Sequence, residues 1–102
     1  MKTYISIAVT TSFLLFSNIS FADSCEQGAY FYKKGKYRSA HTILNPLLKK
    51  GEACAEYYIG LMYQGGNNVK QNEINRKKGI KLINSASTKG YQAAKDFLGS
   101  YH

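Results

Sequence analysis

Few residues of this chain have types that could do chemistry: two cysteines, Cys25 and Cys54, two histidines, His41 and His102, and six carboxylates. Thiols and imidazoles together allow either a disulfide or a Cys2His2 metal site. Structural zinc ligands come as close pairs along the chain, and no two of these four residues are so spaced, so no metal is expected. Nor do serine, histidine and carboxylate stand at any spacing that suggests a nucleophile, a base and an orienting group, so the chain reads as a non-enzyme. Gly65 to Val69 (GGNNV) is glycine-rich, but no lysine and serine pair follows it. It reads as a turn between helices, not a phosphate cradle, and no cofactor is expected. His41, between Ala40 and Thr42, reads as a surface or partly buried helix residue, and His102 is the final residue.

The compartment bears on the cysteines. Lys2 precedes an apolar run, Ile5 to Phe16 (ISIAVTTSFLLF), and small residues at Ser20 and Ala22 then frame a cleavage point before Asp23. This is the pattern of a secretory signal peptide, residues 1–22, cleaved after Ala22, with an uncleaved anchor as the alternative. Cys25 does not directly follow the small residues, which argues against lipoprotein modification. The expected mature chain, 23–102, is periplasmic or secreted and small enough that a covalent staple would matter. In an oxidising compartment the two cysteines favour a Cys25–Cys54 disulfide, with free thiols as the alternative. Closing such a loop stabilises a fold by roughly 3–4 kcal/mol in the chain-entropy account.

Without Lys2, the 14 Lys and Arg become 13 against 6 Asp and Glu, a net charge of +7. That excess favours an acidic partner. Nucleic acid is not expected, because no stacking platform or binding motif accompanies the charge.

The elements that must position these residues come from a hidden period. Laid over Thr88 to Gly99 (TKGYQAAKDFLG), Lys49 to Gly60 (KKGEACAEYYIG) matches Lys50 with Lys89, Gly51 with Gly90 and Ala55 with Ala94. It also matches Tyr58 with Phe97, Ile59 with Leu98 and Gly60 with Gly99. The same offset carries Ala40, Ile43, Leu44, Leu47 and Leu48 onto Gly79, Leu82, Ile83, Ala86 and Ser87, at helical spacing in both segments. The pattern predicts helices over 24–34, 37–50, 53–64, 74–89 and 91–101, joined mostly by short glycine turns. Pro46 should kink the second of them. Gly60, set inside an apolar helix at a cost of about 1 kcal/mol relative to alanine, marks a close approach.

With these residues in register, the chain resembles the Sel1-like repeats, relatives of the tetratricopeptide repeats. Ala55, Ile59, Gly60, Tyr63, Gly66 and Val69 match one repeat, followed by Lys78, Ala86 and Gly90; Ala94, Leu98 and Gly99 open the next. Asn68 replaces a turn glycine, Gly79 an alanine, Leu82 a tryptophan and Ser87 an alanine, while Asn72 or Asn75 stands for the family's aspartate. The first unit, 23–51, is closer to a tetratricopeptide hairpin, with Tyr32 in the place of Tyr63 and Ala29 in that of Gly60. The resemblance implies an all-α fold, a short alpha-alpha superhelix (solenoid) of about two hairpins plus a C-terminal capping helix. The Sel1-like repeat would span 53–90 and the cap 91–102, with Gly60 and Gly99 as packing glycines. Cys25 and Cys54 would begin adjacent parallel helices, close enough to bond.

The resemblance also implies a protein-binding adaptor. Tyr32, Tyr58 and Tyr63 fall at repeat positions and read as core, whereas Tyr30 and Tyr57 are the candidate partner contacts. Two basic clusters join them, Lys33, Lys34 and Arg38 at the first turn and Arg76, Lys77 and Lys81 on the fourth helix, with solvated lysine as the alternative. Variants of this reading are a periplasmic immunity protein neutralising an antibacterial toxin and a secreted host-directed factor.

Overall fold

The computed structural model describes residues 21–101, so the predicted signal segment up to residue 20 and the terminal His102 lie outside the described residues. Five helices follow one another: α1 Phe21–Lys33, α2 Tyr37–Lys49, α3 Ala53–Gly65, α4 Glu73–Thr88 and α5 Gln92–Tyr101. The protein is all-α, and no strand is present among the described residues. Successive helices pack on each other, and α1 also packs on α3 across α2. α1 and α3 thus lie side by side, and Tyr91 before α5 reaches α3 through the Tyr57 ring, an arrangement compatible with a short helical repeat.

The turns follow a common device. Gly51 and Gly90, matched at the repeat offset, both take left-handed backbone angles, φ 77° and 93°. Each lets the next amide reach back to the helix: Glu52 N donates to Leu47 O at 3.0 Å and Tyr91 N to Ala86 O at 3.0 Å. Asn68 also has a positive φ, 62°, as its place in the turn predicts. Asn72, not Asn75, begins α4: its side chain accepts from Asn75 N at 2.8 Å. α2 continues as α-helix through Pro46, so the proline does not break it.

Two buried clusters hold the helices together. Ala40, Leu44 and Leu47 of α2 meet Ala55, Ile59 and Met62 of α3 in the first; Ile83 and Ala86 of α4 meet Ala94 of α5 in the second. Leu44 and Ile83 are matched by the repeat offset and both are fully buried, as are Ala55 and Ala94. The period in the sequence is thus a period in the packing.

Gly60 has the close neighbour its position predicts. A Cβ there would stand 2.8 Å from the Gly79 carbonyl and 2.8 Å from Ile83 Cγ1. Two expectations are corrected. In α1 the equivalent close approach falls on Gly28, where a Cβ would strike the Leu44 side chain, while Ala29, expected in the place of Gly60, is buried beside it. Gly99 is no packing glycine: it is exposed, and a Cβ there would meet nothing within 4 Å. No helix follows α5 among the described residues to use it. Gln92, Lys95 and Asp96 on α5 are also exposed, with Gln92 Nε2 donating to Asp96 Oδ1 at 2.8 Å. A polar outer side of this kind is what a terminal repeat needs.

Candidate binding cleft

Cys25 of α1 and Cys54 of α3 form a disulfide, with Cα atoms 6.3 Å apart. This removes the free-thiol and metal alternatives for these cysteines. Among the described residues no group of three or more His, Cys, Asp or Glu is placed to hold a metal ion. None of the described helices is long and apolar enough to cross a membrane.

Around the disulfide the tyrosines make a continuous row. Tyr37 of α2 meets Tyr32 of α1 with ring centroids 5.6 Å apart, and Tyr32 meets Tyr58 of α3 at 5.6 Å. Tyr58 meets Tyr57 at 4.9 Å, and Tyr57 meets Tyr91, the residue before α5, at 5.4 Å. The row spans the shared side of α1, α3 and the start of α5. Successive α3 residues point about 100° apart, so Tyr58 turns towards α1 while Tyr57 turns towards the cluster of Ile83, Ala86 and Ala94.

Burial pushes the Tyr32 and Tyr57 phenols above the ordinary tyrosine range, with neighbouring phenols adding to the shift. Tyr91 is pushed up to about 12, by burial first, then by the proximity of Tyr58 and the hydrogen bond to its phenol. Tyr32, Tyr57 and Tyr91 therefore stay neutral at physiological pH and offer rings and hydroxyl groups without charge.

Beside the row lies a cleft of about 370 Å³ lined by Cys25, Glu26, Ala29, Tyr30, Lys33, Tyr58 and Tyr91. One wall is α1, where Glu26, Tyr30 and Lys33 recur at helical spacing. Its other wall is Tyr58 and Tyr91, and the disulfide half-cystine Cys25 contributes to the lining. A site so built can grip an extended or helical segment: aromatic faces for apolar contact, with an ammonium and a carboxylate to fix its direction.

The structure assembles only part of the predicted set. Tyr30 and Lys33 line the cleft, and Lys34 lies 5.5 Å over the Tyr30 ring. Tyr57 does not line it; its ring is half-buried within the row and against the second cluster. Tyr58, expected in the core, lines it instead. Arg38 lies apart, with Lys36, Tyr37, Ser39 and Asn68 around a separate hollow of about 380 Å³. Arg76, Lys77 and Lys81 stand exposed on α4, so the basic residues do not converge on one surface. Tyr63 is half-buried with Lys78 4.8 Å over its ring, and Tyr32, Val69 and Leu98 are likewise half-buried. The roles of Tyr91 and Glu26 escaped the sequence reading. Tyr91 follows the Gly90 turn directly, the one signal that would have placed it at the mouth of the row.

The fold and cleft define an all-α protein of helical-repeat type. Comparison with protein-family models, with curated proteins and with solved structures finds no match to this chain.

Proposed function

We propose that the chain is a non-catalytic, exported bacterial protein that binds another protein through the face shared by α1, α3 and the start of α5. The observation that carries this is the tyrosine row opening into the cleft between Tyr30 and Lys33 on one side and Tyr58 and Tyr91 on the other. Half-buried tyrosines are stiff, amphipathic and already ordered, so a partner gains contact area at little entropic cost. The net charge favours an acidic partner through faster encounter. The disulfide supports a periplasmic or secreted location, and the resemblance to Sel1-like repeats implies the same adaptor role.

Crosslinking in the native envelope, followed by identification of the captured protein, tests the reading. Tyr30→Ala combined with Lys33→Glu should abolish capture while the helical circular dichroism stays unchanged. Capture that persisted in this variant would sink the assignment of the cleft.

A further inference from the structure

The two walls of the cleft belong to different helices, and a covalent bond joins those helices. Glu26, Tyr30 and Lys33 stand on α1 and Tyr58 on α3, while Cys25 of α1 is bonded to Cys54 of α3. Cys25 itself lines the cleft and Cys54 does not. The bond therefore helps to set how far apart the walls stand.

α1 is held by little else. Both buried clusters are built without it, the first from α2 and α3 and the second from α4 and α5. Among the described residues, Ala29 is the one buried side chain that α1 supplies. Cys25, Phe31 and Tyr32 only flank the first cluster, and Gly28 rests against the Leu44 side chain of α2. Apart from the bond, the aromatic tie of α1 to α3 is Tyr32 against Tyr58 at 5.6 Å. An element with so little buried side-chain surface opens first when one of its ties is cut.

We propose that the Cys25–Cys54 bond is a redox gate of the cleft. Oxidised, it holds α1 against α3 and the binding face is assembled; reduced, α1 leaves α3 and the face is lost, while α2 to α5 stay folded on their two clusters. The gate presupposes the cleft as the binding site. Its reductant is a dithiol. One thiolate of the dithiol attacks Cys25 Sγ, the sulfur reached from the cleft, and Cys54 leaves as a thiolate that takes up a proton. The second thiol, as thiolate, then displaces Cys25, which is protonated in turn. Two electrons and two protons pass to the protein, and the dithiol becomes a disulfide. A partner seated between Tyr30 and Tyr58 covers Cys25, so binding and reduction oppose each other.

Hydrogen exchange read by mass spectrometry tests the gate on the mature chain in three forms: oxidised, reduced with dithiothreitol and alkylated, and Cys25→Ser/Cys54→Ser. In both bond-free forms the α1 amides should exchange about a hundredfold faster, as the loss of loop closure predicts, while α3 and α4 keep their protection. Glutathione, a monothiol, should be found on Cys25 and not on Cys54 when the mixed disulfide is trapped by acid and mapped. Crosslinking in the native envelope should capture no partner with Cys25→Ser/Cys54→Ser. Protection lost through every helix would show that the bond holds the whole fold, and unchanged α1 exchange would show that α1 stays in place without it; either overturns the proposal. Glutathione on Cys54, or capture by the bond-free variant equal to that of the wild type, overturns it as well. Wild-type capture that survives Tyr30→Ala/Lys33→Glu removes the cleft and the gate with it, and is told apart because α1 exchange would still follow the bond.

Discussion

Gly60 and Gly79 cross backbone to backbone: a Cβ on Gly60 would stand 2.8 Å from the Gly79 carbonyl, and one on Gly79 would strike the Gly60 carbonyl and lie 2.5 Å from Gln64 N. Neither obstacle is a flexible side chain, so α3 and α4 must separate to admit a methyl group. Gly79→Ala should destabilise the fold by about 2–3 kcal/mol, as overpacking does, despite its better helix propensity. Gly99→Ala, with open space around it, should instead stabilise by about 0.5–1 kcal/mol. Urea unfolding of the pair checks both signs, and equal effects would refute the contrast between the crowded crossing of α3 with α4 and the open side of α5 at Gly99.

The Cys25–Cys54 bond closes a loop of 29 residues in sequence separation. Cys25→Ser/Cys54→Ser should lose roughly 3 kcal/mol in urea unfolding, on the chain-entropy account. Intact mass should rise by two hydrogens when the native protein is reduced; an unchanged mass would exclude the bond.

Glu56 is buried in the first turn of α3, where its Oε2 accepts from Ser85 Oγ at 2.9 Å and Lys89 Nζ at 3.1 Å. Lys89 also donates to Gly51 O at 2.6 Å, so one ammonium ties the end of α4 to the turn before α3. Oε1 is buried without a hydrogen-bond partner, which makes the carboxylate depend on the groups at Oε2. Lys89→Met should cost about 1–2 kcal/mol, less than a fully buried pair because Lys89 is partly exposed. Adding Glu56→Leu to that variant should restore part of the loss, measured as a coupling in a double-mutant cycle.

Tyr91 gives a pH dependence of definite sign. Its phenol is held up to about 12 in the fold, against about 10 in an unfolded chain. Its contribution to stability is therefore whole below pH 10 and is lost as pH rises through 12. Ultraviolet titration should show a late phenolate step that Tyr91→Phe removes. Its persistence in that variant would assign the step to another tyrosine.

The helices and their turns were legible because they rest on local rules: apolar spacing, and glycine or asparagine where the backbone turns left-handed. Gly51, Asn68 and Gly90 illustrate this. The Gly60 approach was legible for a similar reason, since a glycine inside an apolar helix needs a neighbour. Gly99 failed by the same logic, because repeat matching transfers a residue type but not the helix that packs on it. Gly28 was missed because the repeat match put Ala29 in the place of Gly60, so the close approach to Leu44 fell beside the expected position. The cleft was only half legible: Tyr30 and Lys33 share a helix face with Glu26, whereas Tyr58 and Tyr91 join it through the stacking of three helices. Which of two adjacent tyrosines, Tyr57 or Tyr58, turns towards α1 is fixed by the rotation of α3 on its neighbours, and sequence period alone does not set that rotation.

The disulfide also gives the chain a mechanical asymmetry. Cys25 and Cys54 enclose all of α2 in a covalent ring, while α4 and α5 lie on an open strand beyond it. Pulled from its two ends, the protein would surrender α4 and α5 to extension but withhold the ring, roughly 100 Å of contour at about 3.4 Å per residue. Reduction would release that hidden length in one step, so the first half of the molecule behaves as a fixed link and the second as a yielding one.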